Sequence, residues 1–267
     1  MTERGPESVD AHATYVFAVC WNPDPSVFVG LAGVTDVASV TTLPLQKLTA
    51  IVQTVRARDF TDEAWQARLS DQRELERYAR AHHDVVTAAA ACCPTVPLPM
   101  ATLYHGEQRA REALASEADR FHAALERIAH HVEWGVKVYV PPCPPDDPVR
   151  SAAPADRSRP APGAGLAYLD RKRGVQERRE RIQDEALTAA ETVHSEVQLL
   201  ATAARRLRPH GVQLSGDPRI QVLNATYLVA EHRADELALL TQSLQERTGV
   251  QIELSGPWVP YSFVGEV

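Results

Sequence analysis

The sequence lacks any apolar run long enough to cross a bilayer: Val85 to Cys93, its longest nearly apolar stretch, is interrupted by Thr87 and falls far short of the roughly 18–20 residues required. Cysteine is scarce. The four, Cys20, Cys92, Cys93 and Cys143, are too few for a disulfide framework, and adjacent Cys92-Cys93 is not the C-x-x-C spacing of a metal or redox motif. Cys20, Cys92 and Cys93 therefore read as small buried hydrophobes. No excess of positive charge exists either. Basic and acidic side chains number 28 and 35, for a net charge of -7, which argues against a nucleic-acid-binding domain. Met1 to Ala13 carries Glu3, Glu7 and Asp10 and no apolar segment, unlike a secretory signal or an Arg-rich transit peptide, so a cytoplasmic protein is expected.

Catalytic motifs are equally sparse. There is no G-x-x-x-x-G-K-[ST], and Gly163-Ala164-Gly165 sits in a Pro-rich context rather than after a strand, so phosphate and dinucleotide cradles are not indicated. No G-x-S-x-G elbow or H-E-x-x-H occurs. The pairs His82-His83 and His130-His131 each offer at most one metal ligand, because neighbours on a helix point about 100 degrees apart. Neither a metal nor a cofactor is expected, and no catalytic residue is assigned.

What is present is a strong boundary. Eight of 19 prolines fall between Pro141 and Pro162, a composition that forms neither helix nor inner strand. It divides the chain into an N-terminal α+β domain, 1–140, a Pro-rich linker or loop, 141–163, and a C-terminal α+β domain, 164–267. Strands are expected at Thr14–Cys20, Val34–Val40 and Leu48–Val55, then one long helix whose apolar positions run from Leu75 to Cys92. A short strand at Thr95–Leu98, a helix through Ala110, Leu114, Phe121, Leu125 and Ile128, and an alternating strand at Val132–Val140 complete the first domain. The second opens with a long helix, its apolar stripe running from Ile182 to Leu207, until Pro209 and Gly211 stop it. Next come a possible strand at Val212–Leu214, a strand at Arg219–Ala230, a helix at Ala234–Arg247 and a strand through Val250, Ile252 and Leu254. The fold class is α+β, two ferredoxin-like α/β sandwiches with helices on one face of each sheet.

The stretch Gly256-Pro257-Trp258-Val259-Pro260-Tyr261-Ser262-Phe263-Val264 is too apolar for a solvated tail. Here the chain resembles the gas vesicle protein family of types F and L, whose members end in a Gly-Pro-Trp-Pro-Pro-Tyr-Ser-Phe-like motif. The resemblance extends to Thr14-Tyr15-Val16-Phe17-Ala18-Val19, Leu48-Thr49-Ala50-Ile51-Val52, and His83-Asp84-Val85-Val86 with Val96 to Tyr104. It also covers Glu133-Trp134-Gly135-Val136-Lys137-Val138-Tyr139 and Gly165-Leu166-Ala167-Tyr168-Leu169-Asp170-Arg171-Lys172. Pro99 and Val259 depart from the family's usual Arg and Pro. The resemblance implies a non-enzymatic accessory or minor structural protein that binds the hydrophobic type A shell protein and other gas vesicle accessory proteins, in the cytoplasm and at the gas vesicle. A ligand-binding or enzymatic protein on ferredoxin-like domains is the alternative. Trp258, Tyr261 and Phe263, with Tyr168, Arg171 and Lys172, are the candidates for partner binding or for contact between domains; the tail is expected to dock in the groove between them.

Overall fold

The structure is a computed structural model that describes residues 12–141, 164–208 and 219–265, with side chains of 164–171 outside the description. The Pro-rich stretch from Pro142 to Gly163, Cys143 and the strand expected at Val212–Leu214 lie outside the described residues. The chain forms two compact units, one of Met1–Glu133 and Pro257–Val267, the other of Trp134–Gly256.

The first unit is built on β1 (His12–Cys20), whose residues after His12 are all buried. It pairs antiparallel with β3 (Leu48–Arg56), β4 (Thr95–Pro97) and β5 (Leu103–Tyr104), while β2 (Val40–Leu45) forms the edge beside β3. A bulge between Val16 and Ala18 shifts the register against β3. Its effect is visible in the packing, because Tyr15, Phe17, Ala18 and Cys20 all enter one apolar cluster while Val16 and Val19 enter the other. A regular strand would have sent Ala18 to the opposite face from Phe17.

Both faces of this sheet are covered. Helix α2 (Gln72–Ala90) supplies Tyr78, Val85, Val86 and Ala89 to one, and α3 (Glu107–Ser116) with α4 (Ala118–Ile128) supplies Ala110, Leu114, Phe121, Leu125 and Ile128 to the other. Helices on one face only, as expected from sequence, hold for the second unit and not for the first. The single helix expected up to Cys92 is preceded by a separate α1 (Asp62–Ser70); Asp71 leaves the helical region at φ -104° and ψ 103° to cap the amides of Arg73 and Glu74. An aspartate accepting two amide hydrogens there satisfies donors a continuous helix would have bonded internally.

The strand expected at Val34–Val40 is a loop, and β2 starts at Val40 instead. Pro44 lies inside β2, which is tolerated because β2 is an edge strand and the missing donor costs no ladder bond on the open side. Residues 32–38 are held by Gln53, fully buried on β3. Its Oε1 accepts from Val34 N at 2.9 Å, and its Nε2 donates to the carbonyls of Ala32, Thr35 and Ala38 at 3.2, 2.8 and 2.7 Å. One amide side chain thus replaces a strand ladder. Gly33 has φ +64°, and a Cβ there would lie 2.5 Å from Gln53 Oε1, so this position requires glycine twice over.

In the second unit the sheet order is β7 (Ala203–Arg206), β8 (Gln221–Ala230), β6 (His131–Tyr139), β9 (Gln251–Trp258). Long α5 (Ala164–Leu200) and α6 (Ala234–Thr248) cover it with Ala186, Ala190, Val193, Val197, Leu237 and Leu244, against Val136, Val138, Ala225 and Tyr227. Helix α5 ends at Leu200 rather than Leu207. Arg233 Nη1 takes the Leu200 carbonyl at 2.8 Å, and the chain then registers against β8 from Ala203↔Leu228 to Arg206↔Ala225. The expected α+β fold class is present. Of the cysteines read as buried, Cys20 is, Cys93 is half-buried and Cys92 is exposed.

Replacing Gln53 by leucine strips partners from one amide and three carbonyls, and a loss of about 3 kcal/mol or more is expected. Gly33→Ala should lose stability in the same direction. Urea melts of the two variants test this; unchanged midpoints would mean that the 32–38 loop is held by something other than Gln53.

Candidate functional site: the aromatic segment on the first unit

Four of the motif segments meet on the first unit, and they meet through side-chain chemistry. On α2, the steps from Tyr78 to His82 and from His82 to Val85 place His82 on the buried stripe and turn His83 aside. Tyr15, fully buried on β1, accepts from the Ala101 amide at 3.2 Å, so its own hydroxyl hydrogen points to His82 Nδ1 at 2.8 Å. That assignment puts the imidazole proton on Nε2, which is buried without a hydrogen-bond partner. Burial outweighs every other influence on the ring and lowers its pKa from 6.5 to about 4. His82 is neutral at physiological pH, and Tyr15, bonded to it and to the Ala101 amide, ties α2 and the 98–104 turn to the central strand. A similar pair recurs in the second unit, where His194 Nδ1 and Tyr227 OH are 2.7 Å apart.

The 256–264 segment closes over this network. Val259 packs on the cluster that holds Tyr15 and Phe17, and the Tyr261 ring stacks on His83 with centroids 6.3 Å apart and planes at 28°. Glu133, buried on β6, then receives both the amide of Ser262 at 2.8 Å and its hydroxyl at 2.5 Å. A buried carboxylate needs such donors, since an unpaired one would cost several kcal/mol. Beyond this clamp Phe263 and Val264 are buried, and Val264 joins the cluster of Val16, Val19, Leu125 and Ile128. The neighbouring strands β6 and β9 approach closely at Gly135, where a Cβ would sit 2.7 Å from Ser255 Oγ.

The six candidate residues are therefore not equivalent. Phe263 is 6% exposed and is core, whereas Trp258 and Tyr261 remain 51% and 39% exposed. Lys172 lies exposed on α5, while Tyr168 and Arg171 lie on the same helix with side chains outside the described residues. The aromatic segment expected in the second domain groups with the first unit from Pro257 onward, because Ser262, Phe263 and Val264 find their partners there. Sequence reasoning passed over Glu133, His83 and Tyr15 as contact residues, although all three stand inside the quoted motifs.

Among the described residues no three His, Cys, Asp or Glu side chains are placed to hold a metal ion, and no helix is long and apolar enough to cross a membrane. A groove of about 490 Å³ lies between residues 30–33 and α2, lined by Arg73, Glu76, Arg77, Arg80 and Asp84 beside Leu31, Ala81 and Val85. Arg77 is paired with Glu74 at 2.9 Å, and neither a thiol, a hydroxyl nor an imidazole lines the groove. What the aromatic segment offers chemically is an exposed indole and phenol on a rigid base.

The profile described as "Gas vesicle synthesis protein GvpL/GvpF" matches residues 13–265. The chain belongs to this family. Gas vesicle protein L from Streptomyces sp. (strain CB03234) is 37% identical over 218 residues, covering 82% of this chain and 80% of that protein. Among solved structures, that of GvpF from Anabaena sp. PCC7120 superposes with a TM-score of 0.62 at 14% identity, covering 96% of this chain and 97% of the other. GvpF from Microcystis aeruginosa gives 0.60 at 13%, covering 97% and 100%. These two likenesses establish the fold. Family membership makes this a gas vesicle protein, and the segments that meet around Tyr15, Glu133 and Tyr261 are among those through which the sequence resembles the family.

Two outcomes are expected. Phe263→Ala should cost about 3–5 kcal/mol, as for other buried aromatics, measured by chemical denaturation; a near-wild-type value would make the segment's burial incidental. The lowered pKa of His82 means that the unfolded chain takes up its proton first, so stability is intact above about pH 6.5 and is lost as pH falls toward 4. At pH 4.5 this single group costs roughly 2–3 kcal/mol. His82→Gln, which keeps an acceptor for Tyr15 but does not titrate, should lose that much less stability between pH 7 and pH 4.5. Equal losses in the two proteins would show that His82 is not the titrating group.

Proposed function

We propose that this chain is a non-enzymatic accessory or minor structural protein of the gas vesicle, which binds the hydrophobic shell protein and supports assembly, working with other accessory proteins at the vesicle. The observation that carries the reading is the family match across residues 13–265. The surface chemistry supports it. A shell subunit must present apolar area before it polymerises, and a protein that covers that area reversibly needs exposed apolar side chains held on a rigid base. Trp258 and Tyr261 are such groups, fixed by the Glu133–Ser262 clamp and by burial of Phe263 immediately beyond. Aromatic residues bring large contact area at small entropic cost, which is why they concentrate in binding hot spots.

Co-expression with the type A shell protein followed by affinity capture tests this. The wild-type chain should retain the shell protein. Trp258→Ala with Tyr261→Ala should reduce retention at least tenfold while the midpoint of unfolding stays close to that of the wild type. Failure of the wild type to retain any shell protein would refute the binding role, and full retention by the double variant would move the contact elsewhere on the surface.

A further inference from the structure

The three cysteines of the first unit converge at the end of α2, although they come from two places in the chain. Helix α2 ends at Ala90, and the amides of Cys92 and Cys93 both return to the Ala89 carbonyl at 3.1 Å, which curls the two thiols into one turn. Their Sγ atoms are 3.9 Å apart. Cys93 Sγ also lies 3.8 Å from Thr95 Oγ1, and Thr95 is the residue directly opposite Cys20 in the β1–β4 ladder. Cys20 and Cys93 consequently share one apolar cluster. Exposure is graded along the group, from exposed Cys92 through half-buried Cys93 to buried Cys20.

We propose that this cluster is a site of reversible oxidation, in which Cys93 is the thiol attacked by peroxide and Cys20 is the thiol that resolves it to a disulfide. Cys93 is suited to the first step. The neighbouring Cys20 thiol, followed by Thr95 and Cys92, favours its thiolate over the desolvation that opposes it, lowering its pKa to about 6, whereas Cys20 and Cys92 are both raised. A thiolate that is half-exposed and flanked by thiols is the form that reacts with oxidants.

The chemistry balances in two steps. The Cys93 thiolate attacks one oxygen of hydrogen peroxide, the O–O bond breaks, hydroxide leaves and takes up a proton as water, and Cys93 becomes a sulfenic acid. The Cys20 sulfur then attacks the sulfenyl sulfur. The S–O bond breaks, the departing hydroxide takes the Cys20 proton as a second water, and the S–S bond forms. Two thiols are oxidised by two electrons and one peroxide is reduced to two waters. Cys92 is the poorer resolver despite its proximity, because a disulfide between adjacent residues distorts the peptide linking them, and departures from a planar trans peptide are costly.

The test uses the full chain carrying Cys92→Ser and Cys143→Ser, so that Cys20 and Cys93 are its only cysteines, beside the wild type. After stoichiometric hydrogen peroxide, non-reducing peptide mapping should show Cys20 joined to Cys93, reversed by dithiothreitol. With Cys20→Ser in addition, a dimedone adduct should accumulate on Cys93. In the wild type, iodoacetamide should alkylate Cys93 several-fold faster than Cys92 at pH 7, with a rate for Cys93 that levels off above about pH 7 while that for Cys92 continues to rise. Alkylation of Cys93 that rises to pH 9 like that of Cys92, or peroxide treatment that leaves Cys20 and Cys93 unlinked, overturns the proposal.

Discussion

The first unit depends on one strand that is buried from Ala13 to Cys20 and is used on both sides. Because β1 lies inside its sheet and meets helices above and below, every residue along it is constrained by packing, and the bulge at Val16–Ala18 decides which face each later side chain serves. Without the bulge, Ala18 and Cys20 would point toward α3 and α4, and Val19 toward α2. Tyr15, ahead of the bulge, faces His82 by plain alternation, whereas the position of Cys20 near Cys93 follows from the shifted phase. One irregularity in a strand therefore sets the proximity that gathers the thiols.

Polar groups carry the specificity that apolar packing alone does not provide. Gln53, His82 and Glu133 are all buried, and each joins segments far apart in sequence. Gln53 gathers a loop onto a strand, His82 bonds the strand to a helix, and Glu133 receives the aromatic segment through Ser262. Such groups are costly when unpaired, so they penalise any arrangement that leaves them without partners. By contrast, the exposed ion pairs on helix surfaces, such as Arg77 with Glu74 and Arg109 with Glu112, contribute little.

What was legible in the sequence was periodicity. The stripe from Ala186 to Leu200, the alternation of Val136 and Val138, and the three- and four-residue steps of α2 from Tyr78 to Ala89 all mark residues that are buried. What was illegible arose where side chains override local pattern. Val34 to Val40 has strand composition, yet the carbonyls of the loop before β2 bond one glutamine 15 or more residues away. Ala204 and Leu207 continue the helical phase of α5 by coincidence, and the ladder with β8 claims that stretch instead. The family motifs marked which segments matter, but only three dimensions separated exposed Trp258 from buried Phe263 in one apolar run, or disclosed that the adjacent Cys92 and Cys93 face a third thiol.

The division of the chain also bears on how it is made. Residues 257–265 complete the core of a unit whose other strands and helices precede residue 134, while the whole second unit is encoded between them. During synthesis the early segments leave the ribosome with the place of Phe263 and Val264 unfilled and the Glu133 carboxylate without Ser262. They must wait for roughly 120 further residues, which at about 5–20 residues per second is of order ten seconds. The second unit has all its residues before that moment, so the unit begun later in the sequence is the first to be complete. Until then a nascent chain exposes apolar surface suited to chaperones.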